Sequence, residues 1–195
     1  MKWILLGLLA MLAAPTASWA EAPVFSIIPD GSSVTFRVKA SVPIQGRFDR
    51  WKATLTFTSP EVSTGVLAVK IDANSVNTGS GIKDGTLKSD QFFDVKNHPD
   101  ISFRTTKVTQ TAPNTFAVVG NLTIRGVAKS ETLVLKTTRN GAGGEVNGSM
   151  TFNRRDFGMN GGVPLVKIAD SVDVIVHLKA KRVSGPPVTA AAAGT

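Results

Sequence analysis

Side chains suited to acid–base or metal chemistry are scarce in this chain, which has no cysteine and only two histidines. His98 stands before Pro99, which is typical of a turn, and His177 alternates onto the same face as Lys179, which indicates exposure to solvent. Neither histidine has a second ligand at the spacing of a zinc motif, and the sequence contains no Gly-x-Ser-x-Gly nucleophile elbow. We therefore predict a protein that is not an enzyme, with no catalytic residue, no metal site and no cofactor.

Acidic and basic residues cluster in two places. Asp84, Asp90 and Asp94 could form a carboxylate cluster, but capping and solvation of a helical segment explain them with fewer assumptions. Arg154 and Arg155 could bind a phosphate headgroup, because a guanidinium grips phosphate through two parallel hydrogen bonds. The alternative is an Arg–Asp pair that holds a loop in place. The sequence leaves both interpretations of the arginines open.

The elements that must position these residues are strands, because most of the chain alternates apolar and polar residues. Val34, Phe36 and Val38 share one face of a strand, since successive side chains point to opposite sides. The pattern predicts an all-β fold, an eight-stranded antiparallel barrel with an apolar interior. A barrel of eight strands is just wide enough either for side chains to fill it or for one slender ligand to bind inside. The eight predicted strands are 32–40, 51–58, 65–73, 100–109, 115–125, 130–138, 144–153 and 170–181.

Several glycines and one phase shift are typical of a sheet that curls on itself. Gly120 and Gly148 fall at inward positions and predict sharp bends. The alternation changes phase near Val108, which indicates a β-bulge. Asn140 and Gly141, between two predicted strands, favour a hairpin turn.

The two ends of the chain differ from the barrel segment. Residues 1–20 combine a basic start, an apolar stretch too short to cross a bilayer and small residues before Glu21, so we expect a signal peptide and a periplasmic location. Residues 21–183 are expected to form one barrel domain. Residues 184–195 are rich in Gly, Pro, Ala and Thr and carry no charge, so we expect a disordered tail.

One internal segment, near residues 82–93, changes to helical spacing. Ile82, Leu87 and Phe93 recur at intervals that favour a short helix or helical turns across one end of the barrel. The segment should end before Pro99, because a residue that precedes proline avoids the helical region.

The net charge of +8 favours anionic partners. The excess basic charge would help the protein visit anionic membrane surfaces, so we expect a transient contact with them. A nucleic-acid partner is not expected, because the basic residues are scattered. The chain has no tyrosine, two of its three tryptophans lie in residues 1–20, and most of its ten phenylalanines fall on apolar faces, where they are unavailable for base stacking.

Over nearly all of residues 22–182 the chain resembles the YceI-like family of exported lipid-binding proteins. No single block is specific, but the order and spacing of the blocks are. These blocks are Ser33–Val38, Gly46–Phe48, Leu87–Val95, His98–Phe103, Gly120–Val127, Asn153–Met159 and Ala169–Val174.

The resemblance implies a lipocalin-like eight-stranded barrel around a long apolar pocket that binds a polyisoprenoid or similar long-chain amphiphile. Two departures concern the expected pocket rim. Lys39 stands where the family often has histidine, and residues 83–86 replace a frequent Arg-Asp-x-His sequence. The resemblance therefore does not predict the headgroup of the ligand.

The resulting hypothesis is a periplasmic protein that carries or stores such a lipid. Lys39 and Arg154 are the headgroup candidates. The alternative is a solid-cored stress or interaction protein, because large inward phenylalanines could fill the interior. An outer-membrane barrel is disfavoured, since the chain lacks an aromatic girdle. The oligomeric state stays open, with a homodimer as one option. The predicted pocket residues are Val34, Phe36, Val38, Phe57, Phe93, Phe103, Phe116, Leu122, Phe152 and Val174.

Overall fold

Strands dominate the computed structural model, which describes residues 21–141, 143–162 and 165–189. Among these residues, no helix is long and apolar enough to cross a membrane. The predicted signal peptide, residues 1–20, lies outside the described residues. The elements are β1 (Val24–Ala40), β2 (Ile44–Phe48), β3 (Trp51–Thr56), β4 (Val66–Asp72), β5 (Val76–Asn77), α1 (Gly81–Lys88), β6 (Asp100–Ala112), β7 (Thr115–Ile124), β8 (Val127–Asn140), β9 (Gly143–Asn153) and β10 (Ile168–Ser184), with short 3-10 turns at Val62–Thr64, Ala73–Ser75 and Arg154–Phe157.

The strands form one ten-stranded antiparallel sheet in the order β3-β4-β6-β7-β8-β9-β10-β1-β2-β5. The sheet curls until β3, at one end of this order, lies against β1. The rings of Phe25 and Phe57 meet at 5.6 Å near this seam. The expectation of an all-β, barrel-like fold is confirmed. The inward side chains of the curled sheet form the buried core.

The predicted number of eight strands is wrong, because β2 and β5 were not recognised. β2 is short and has Gly46 at its centre, which obscures the alternation. β5 has only two residues. The eight predicted strands correspond to the other elements, with boundaries that differ by a few residues at most positions.

β1 is also longer than predicted, since it begins at Val24 instead of residue 32. Pro29, Asp30 and Gly31 are typical of a turn, but here they form a bulge inside a continuous strand, with a register shift between Ile28 and Ser33. Ser32 sustains the pairing, because its Oγ accepts a hydrogen bond from the Lys179 N–H at 2.9 Å. A side chain thus replaces a backbone partner where the strand bulges.

The helical segment is confirmed in position but is shorter than predicted. α1 ends at Lys88, and tight turns continue the path: the Phe93 N–H donates to the Leu87 carbonyl at 2.9 Å, and the Asp94 N–H donates to the Ser89 carbonyl at 2.8 Å. The turns bring Phe93 back beneath the helix, so the segment covers one end of the sheet.

Two smaller expectations agree with the structure. A register shift in β6 lies between Thr105 and Lys107, close to the predicted bulge near Val108. Gly141 adopts a φ of 59° between β8 and β9, which suits glycine in the predicted hairpin turn.

The chain after β10 reaches the loop between β3 and β4. Ser184 ends β10, and the Thr189 N–H donates to the Pro60 carbonyl at 2.8 Å while the Val62 N–H donates to the Thr189 carbonyl at 3.0 Å. We call residues 185–189 the C-terminal strap. The first part of the predicted disordered tail therefore contacts the β3–β4 loop, and residues 190–195 lie outside the described residues.

Candidate functional site

The interior of the curled sheet contains two cavities, one near each end. The helix-end cavity, about 100 Å³, is lined by Val34, Thr35, Phe36, Val38, Ile44, Phe48, Val69, Ile71, Leu87, Phe92, Phe93, Ile101, Phe103, Leu122, Ile124, Leu133, Met150, Phe152, Arg154, Met159, Ile168, Val172, Val174 and Val176. The strap-end cavity, about 340 Å³, is lined by Phe25, Ile27, Leu55, Phe57, Val62, Gly65, Leu67, Thr105, Val108, Gln110, Asn114, Phe116, Val118, Leu135, Thr137, Thr138, Arg139, Gly143, Gly144, Glu145, Val146, Leu178, Ala180, Val188 and Thr189. Within the described part of the chain, no residue lines both.

The helix-end cavity is almost entirely apolar. Three phenylalanine rings pack beside it: Phe36 lies 5.6 Å from Phe48 and 6.5 Å from Phe93, and Phe48 lies 5.7 Å from Phe93. These tilted and edge-on contacts are typical of stable aromatic packing. Its polar lining residues are Thr35 and Arg154.

The strap-end cavity combines aromatic walls with a polar rim. Phe57 and Phe116 contribute rings, whereas the exposed Arg139 and Glu145 bring charge to the rim. The strap covers part of this cavity through Thr189. This end can therefore contact both an apolar chain and water.

The two cavities are separated by inward side chains that lie across glycines. On β7, Gly120 stands between Val118, which lines the strap-end cavity, and Leu122, which lines the helix-end cavity. A Cβ added to Gly120 would lie 2.4 Å from Cζ of Phe103 and 2.6 Å from the Arg104 carbonyl oxygen. The ring of Phe103 thus occupies the space that a larger residue would fill.

The same arrangement recurs on β9. A Cβ added to Gly148 would lie 2.8 Å from Cδ2 of Leu135 and 3.2 Å from Cδ1 of Leu133. Phe103, Leu133 and Leu135 are all buried, and we call these three side chains the partition. Both glycines are predicted at bends, and the structure adds the reason for their small size: side chains of the neighbouring strand lie over them on the inner face of the sheet, between the two cavities.

Arg154 is buried, with 4% of its surface exposed, and holds the loop that follows β9. Its guanidinium donates to the carbonyls of Met159, Gly161 and Ala169, the last two at 2.9 and 3.2 Å, and pairs with Asp170 at 3.0 Å. These four partners occupy most of its donors. The geometry agrees with the interpretation that an Arg–Asp pair holds a loop.

Lys39, the second headgroup candidate, is exposed and lines neither cavity. It follows Val38, which lines the helix-end cavity, so the strand alternation turns the lysine to the outer face. The structure does not bring Lys39 and Arg154 together at one pocket rim.

The segments that cover the helix-end cavity are joined by hydrogen bonds. The Gly161 N–H donates to the Gln91 carbonyl at 3.0 Å. Arg125 donates to the carbonyls of Asp90 and Phe92, the latter at 2.7 Å. A ligand that reaches this cavity from outside must therefore displace a cover held at several points.

Most predicted pocket residues line the helix-end cavity: Val34, Phe36, Val38, Phe93, Phe103, Leu122, Phe152 and Val174. Phe57 and Phe116 line the strap-end cavity instead. Sequence reasoning missed Phe25 and Ile27, whose alternation is interrupted by the bulge in β1, and Val188, which stands in a segment without any alternation.

The candidate acid–base residues serve local structure. Asp84 accepts hydrogen bonds from the Thr78 N–H at 2.8 Å and the Thr78 hydroxyl at 2.7 Å, close to the start of α1. His98 lies 3.9 Å from Asp94, and Nδ1 of His177 lies 2.7 Å from the Asn147 side-chain oxygen. Across the described ranges, no three acidic or histidine side chains are grouped so that they could hold a metal ion.

Ion pairs support the sheet edges near the helix end. Asp49 pairs with Arg47 at 2.6 Å and accepts a hydrogen bond from Asn77 at 2.8 Å, and these contacts hold the pKa of its carboxyl below the ordinary value. Hydrogen bonds from the Arg50 side chain and the Asn74 N–H likewise hold the pKa of the Asp72 carboxyl below the ordinary value. Both carboxylates are exposed enough that solvent weakens these contacts.

The chain belongs to the YceI-like family, whose domain model matches residues 25–180. A UPF0312 protein of Yersinia enterocolitica is 30% identical over 190 residues, which are 91% of this chain and 96% of that protein. A UPF0312 protein of Pseudomonas syringae pv. tomato is 32% identical over 135 residues, covering 65% and 69% of the two chains. The family resemblance seen in the sequence is confirmed.

Solved structures share the fold. The crystal structure of BcnA from Burkholderia cenocepacia matches with a TM-score of 0.73 and 26% identity, covering 79% of this chain and 99% of BcnA. A polyisoprenoid binding domain from Saccharophagus degradans, implicated in plant cell wall breakdown, matches with a TM-score of 0.62 and 18% identity, covering 82% and 99% of the two chains.

Proposed function

We propose that this protein is exported to the periplasm and holds a polyisoprenoid or another long-chain amphiphile inside its curled sheet, as a carrier or reservoir and not as an enzyme. The observation that carries the proposal is a pair of largely apolar cavities arranged end to end along the same interior. A soluble domain that served only as a packed scaffold would gain stability by filling both.

The cavity volumes indicate how such a ligand would bind. Ligand pockets usually measure about 300–1,000 Å³. The strap-end cavity, about 340 Å³, reaches this range, whereas the helix-end cavity, about 100 Å³, does not. A long prenyl chain therefore needs both cavities, and the partition has to move aside to join them.

The partition is suited to such a movement. Phe103, Leu133 and Leu135 contact the glycines through the ends of their side chains, which can change rotamer without a change of the sheet. The bound lipid would replace the contacts that these side chains lose. Uptake is then coupled to a rearrangement inside the sheet, which slows binding relative to an open pocket.

The energetics suit a carrier more than an irreversible sink. Each methylene equivalent removed from water contributes about 0.8 kcal/mol, but a lipid taken from a membrane is already out of water. Transfer from the bilayer to the protein is therefore nearly balanced, and the same protein can load and unload.

Relatives supply the second line of support. The chain is a YceI-like protein, and a neighbour with the same fold is described as a polyisoprenoid binding domain. That neighbour is only 18% identical, so it supports the general class of ligand and not its chain length or headgroup.

One observation favours the second candidate, a solid-cored interaction or stress protein. The cluster of Phe36, Phe48 and Phe93 already fills much of the helix end. In this alternative the partition stays in place and the two cavities are packing gaps. The two functions differ in one respect that can be measured, namely whether the interior takes up a lipid.

The test is to purify the protein from its own cells and analyse it by native mass spectrometry and by organic extraction. The proposal expects one apolar molecule of prenyl type for each protein chain, retained through purification. A protein that contains no lipid, and takes up none when prenols of increasing length are added, would favour the solid-cored alternative.

A further inference from the structure

The three most exposed large apolar side chains in the described part of the protein are Val42, Ile82 and Leu165, with 60%, 86% and 104% of their surface exposed. They belong to three separate segments: the turn between β1 and β2, the start of α1, and the loop before β10. Single exposed apolar residues are common on protein surfaces. Three that meet at one place indicate an interaction surface.

Hydrogen bonds and strand pairing place the three segments at one end of the molecule. The Ser41 N–H donates to the Lys167 carbonyl at 3.0 Å, and the Lys167 N–H donates to the Ser41 hydroxyl at 3.2 Å, so the first and third segments touch. β5 pairs antiparallel with β2, so the chain leaves Asn77 toward the Ile44 end of β2, where Val42 lies.

Each segment also contributes to the wall of the helix-end cavity. Ile44 follows the first segment, Leu87 belongs to α1, and Ile168 follows the third segment, and all three line that cavity. The same short stretches thus present apolar side chains outward and inward. A surface that covers this end would lie directly over the cavity.

A lysine accompanies each exposed apolar residue. Lys39, Lys83 and Lys167 are exposed, and within the described ranges none of them forms an ion pair. The acidic neighbour on α1, Asp84, is engaged by two hydrogen bonds from Thr78. This end of the molecule therefore combines protruding apolar groups with three exposed lysines that form no ion pair within the described ranges.

We propose that this end, the docking face, binds the surface of an anionic phospholipid bilayer and inserts Val42, Ile82 and Leu165 between the headgroups. Apolar side chains flanked by lysines are typical of protein surfaces that lie in the membrane interface. The inference rests on the proposed lipid-binding function and adds the face through which lipid is exchanged, since docking places the helix-end cavity against the membrane.

The test measures sedimentation of the purified protein with vesicles of phosphatidylcholine alone and of phosphatidylcholine with phosphatidylglycerol, at low and at high salt. We expect binding to the anionic vesicles that falls as salt rises. The variant with Lys39→Gln, Lys83→Gln and Lys167→Gln should bind roughly 100-fold more weakly, because each lysine near an anionic surface contributes about 1 kcal/mol. The variant with Val42→Ser, Ile82→Ser and Leu165→Ser should bind the anionic vesicles about tenfold or more weakly than the unchanged protein at both salt concentrations.

The matched control carries the same lysine substitution at Lys107, Lys136 and Lys181, which are exposed and lie toward the other end of their strands. It should bind as the unchanged protein does. An equal loss in the control would show attraction by net charge alone and would overturn the docking face. Retained binding in both docking-face variants would overturn it as well.

Two further measurements separate this inference from the proposed function. Prenol binding is followed by native mass spectrometry without vesicles, where all these variants should bind normally, so either proposal can fail while the other stands. Analytical ultracentrifugation reports self-association. A dimer that the serine variant dissociates, together with no binding to vesicles, would assign this face to a second copy of the chain and contradict the proposal.

Discussion

The two ends of the sheet are built from the same alternating strands but enclose different spaces. At the helix end, aromatic rings and a cover fixed by Arg125 and Arg154 leave a cavity of about 100 Å³. At the strap end, about 340 Å³ remains beneath a strap whose Thr189 makes two backbone hydrogen bonds with residues of the facing loop. Strand pattern alone therefore does not fix the interior. The segments that cover each end, and the inward side chains that stand between the two cavities, decide how much space is left.

The largest effect should come from opening the partition. Phe103→Ala should lower the free energy of unfolding by about 3–5 kcal/mol, because it removes a buried ring and joins the two cavities. A long prenol such as decaprenol should restore part of this loss by filling the joined space. Thermal and denaturant unfolding with and without the prenol measure both effects.

Phe157→Ala is the matched control for this change. Phe157 is fully buried, packs at 5.2 Å from Phe152 and lines neither cavity. A similar loss of stability is expected, without recovery on addition of the prenol. If decaprenol stabilised both variants equally, the partition would have no special role.

The next effect should come from blocking each cavity in turn. Val174→Trp fills part of the helix-end cavity, and Val146→Trp fills part of the strap-end cavity; both valines are half-buried. Excluding about four methylene equivalents, at about 0.8 kcal/mol each, should lower the affinity for geranylgeraniol by about 200-fold in either variant.

Short prenols sharpen this comparison. Geraniol needs only the larger cavity, so Val146→Trp should abolish its binding and Val174→Trp should leave it nearly unchanged, as isothermal titration can show. Equal loss of geraniol binding in both variants would mean that the ligand does not distinguish the two ends.

A smaller effect is expected from the two partition glycines. Gly120→Ala brings a Cβ against both the Phe103 ring and the Arg104 backbone carbonyl, and backbone cannot yield by a rotamer change. Gly148→Ala meets the ends of leucine side chains first. Gly120→Ala should cost about 1–3 kcal/mol of unfolding free energy, and Gly148→Ala less, by chemical denaturation. The reverse order would mean that the leucines are the rigid part of the partition.

The smallest effect concerns acid. Hydrogen bonds hold the folded-state pKa values of Asp49 and Asp72 below the ordinary value, so the stability they add is present above about pH 4 and is lost as pH falls through the lowered values. Both residues support the helix-end edges, whereas Thr189 binds the facing loop through backbone groups.

Hydrogen exchange should therefore rise at low pH in β2 and β5 before it rises around the strap. In the variant with Asp49→Asn and Asp72→Asn, the acid-induced rise in hydrogen exchange of β2 and β5 should come closer to that of the strap. An unchanged difference in that variant would assign the acid sensitivity to other groups.

The sequence predicted the sheet well because alternation is a local property. Val34, Phe36 and Val38 lie on the inward face of β1, as their spacing required, and Phe57 and Phe116 also face the interior. The first half of β1 was missed since Pro29 and Gly31 are ordinary turn residues. These residues form a bulge instead of a turn between two strands, because β1 pairs with β10 both before and after them.

The candidate site was less predictable, for a physical reason. Alternation assigns side chains to the inward face but not to a level along the barrel axis, and it does not say that the Phe103 ring lies over Gly120 of the neighbouring strand. The role of Arg154 depends on carbonyls of Met159, Gly161 and Ala169, which no spacing rule specifies. The strap has no alternation at all, so its place over a cavity follows only from the folded chain.

Methyl-resolved NMR of the protein with labelled leucine and valine tests the central claim most directly. Val174 reports on the helix-end cavity, Val146 on the strap-end cavity, and Leu133 and Leu135 on the partition. Titration with geranylgeraniol should shift all three groups together to a saturable end point, while geraniol should shift Val146 alone. A long prenol that leaves the partition methyls unmoved at saturation, or shifts only surface groups, would contradict a lipid held along the joined interior.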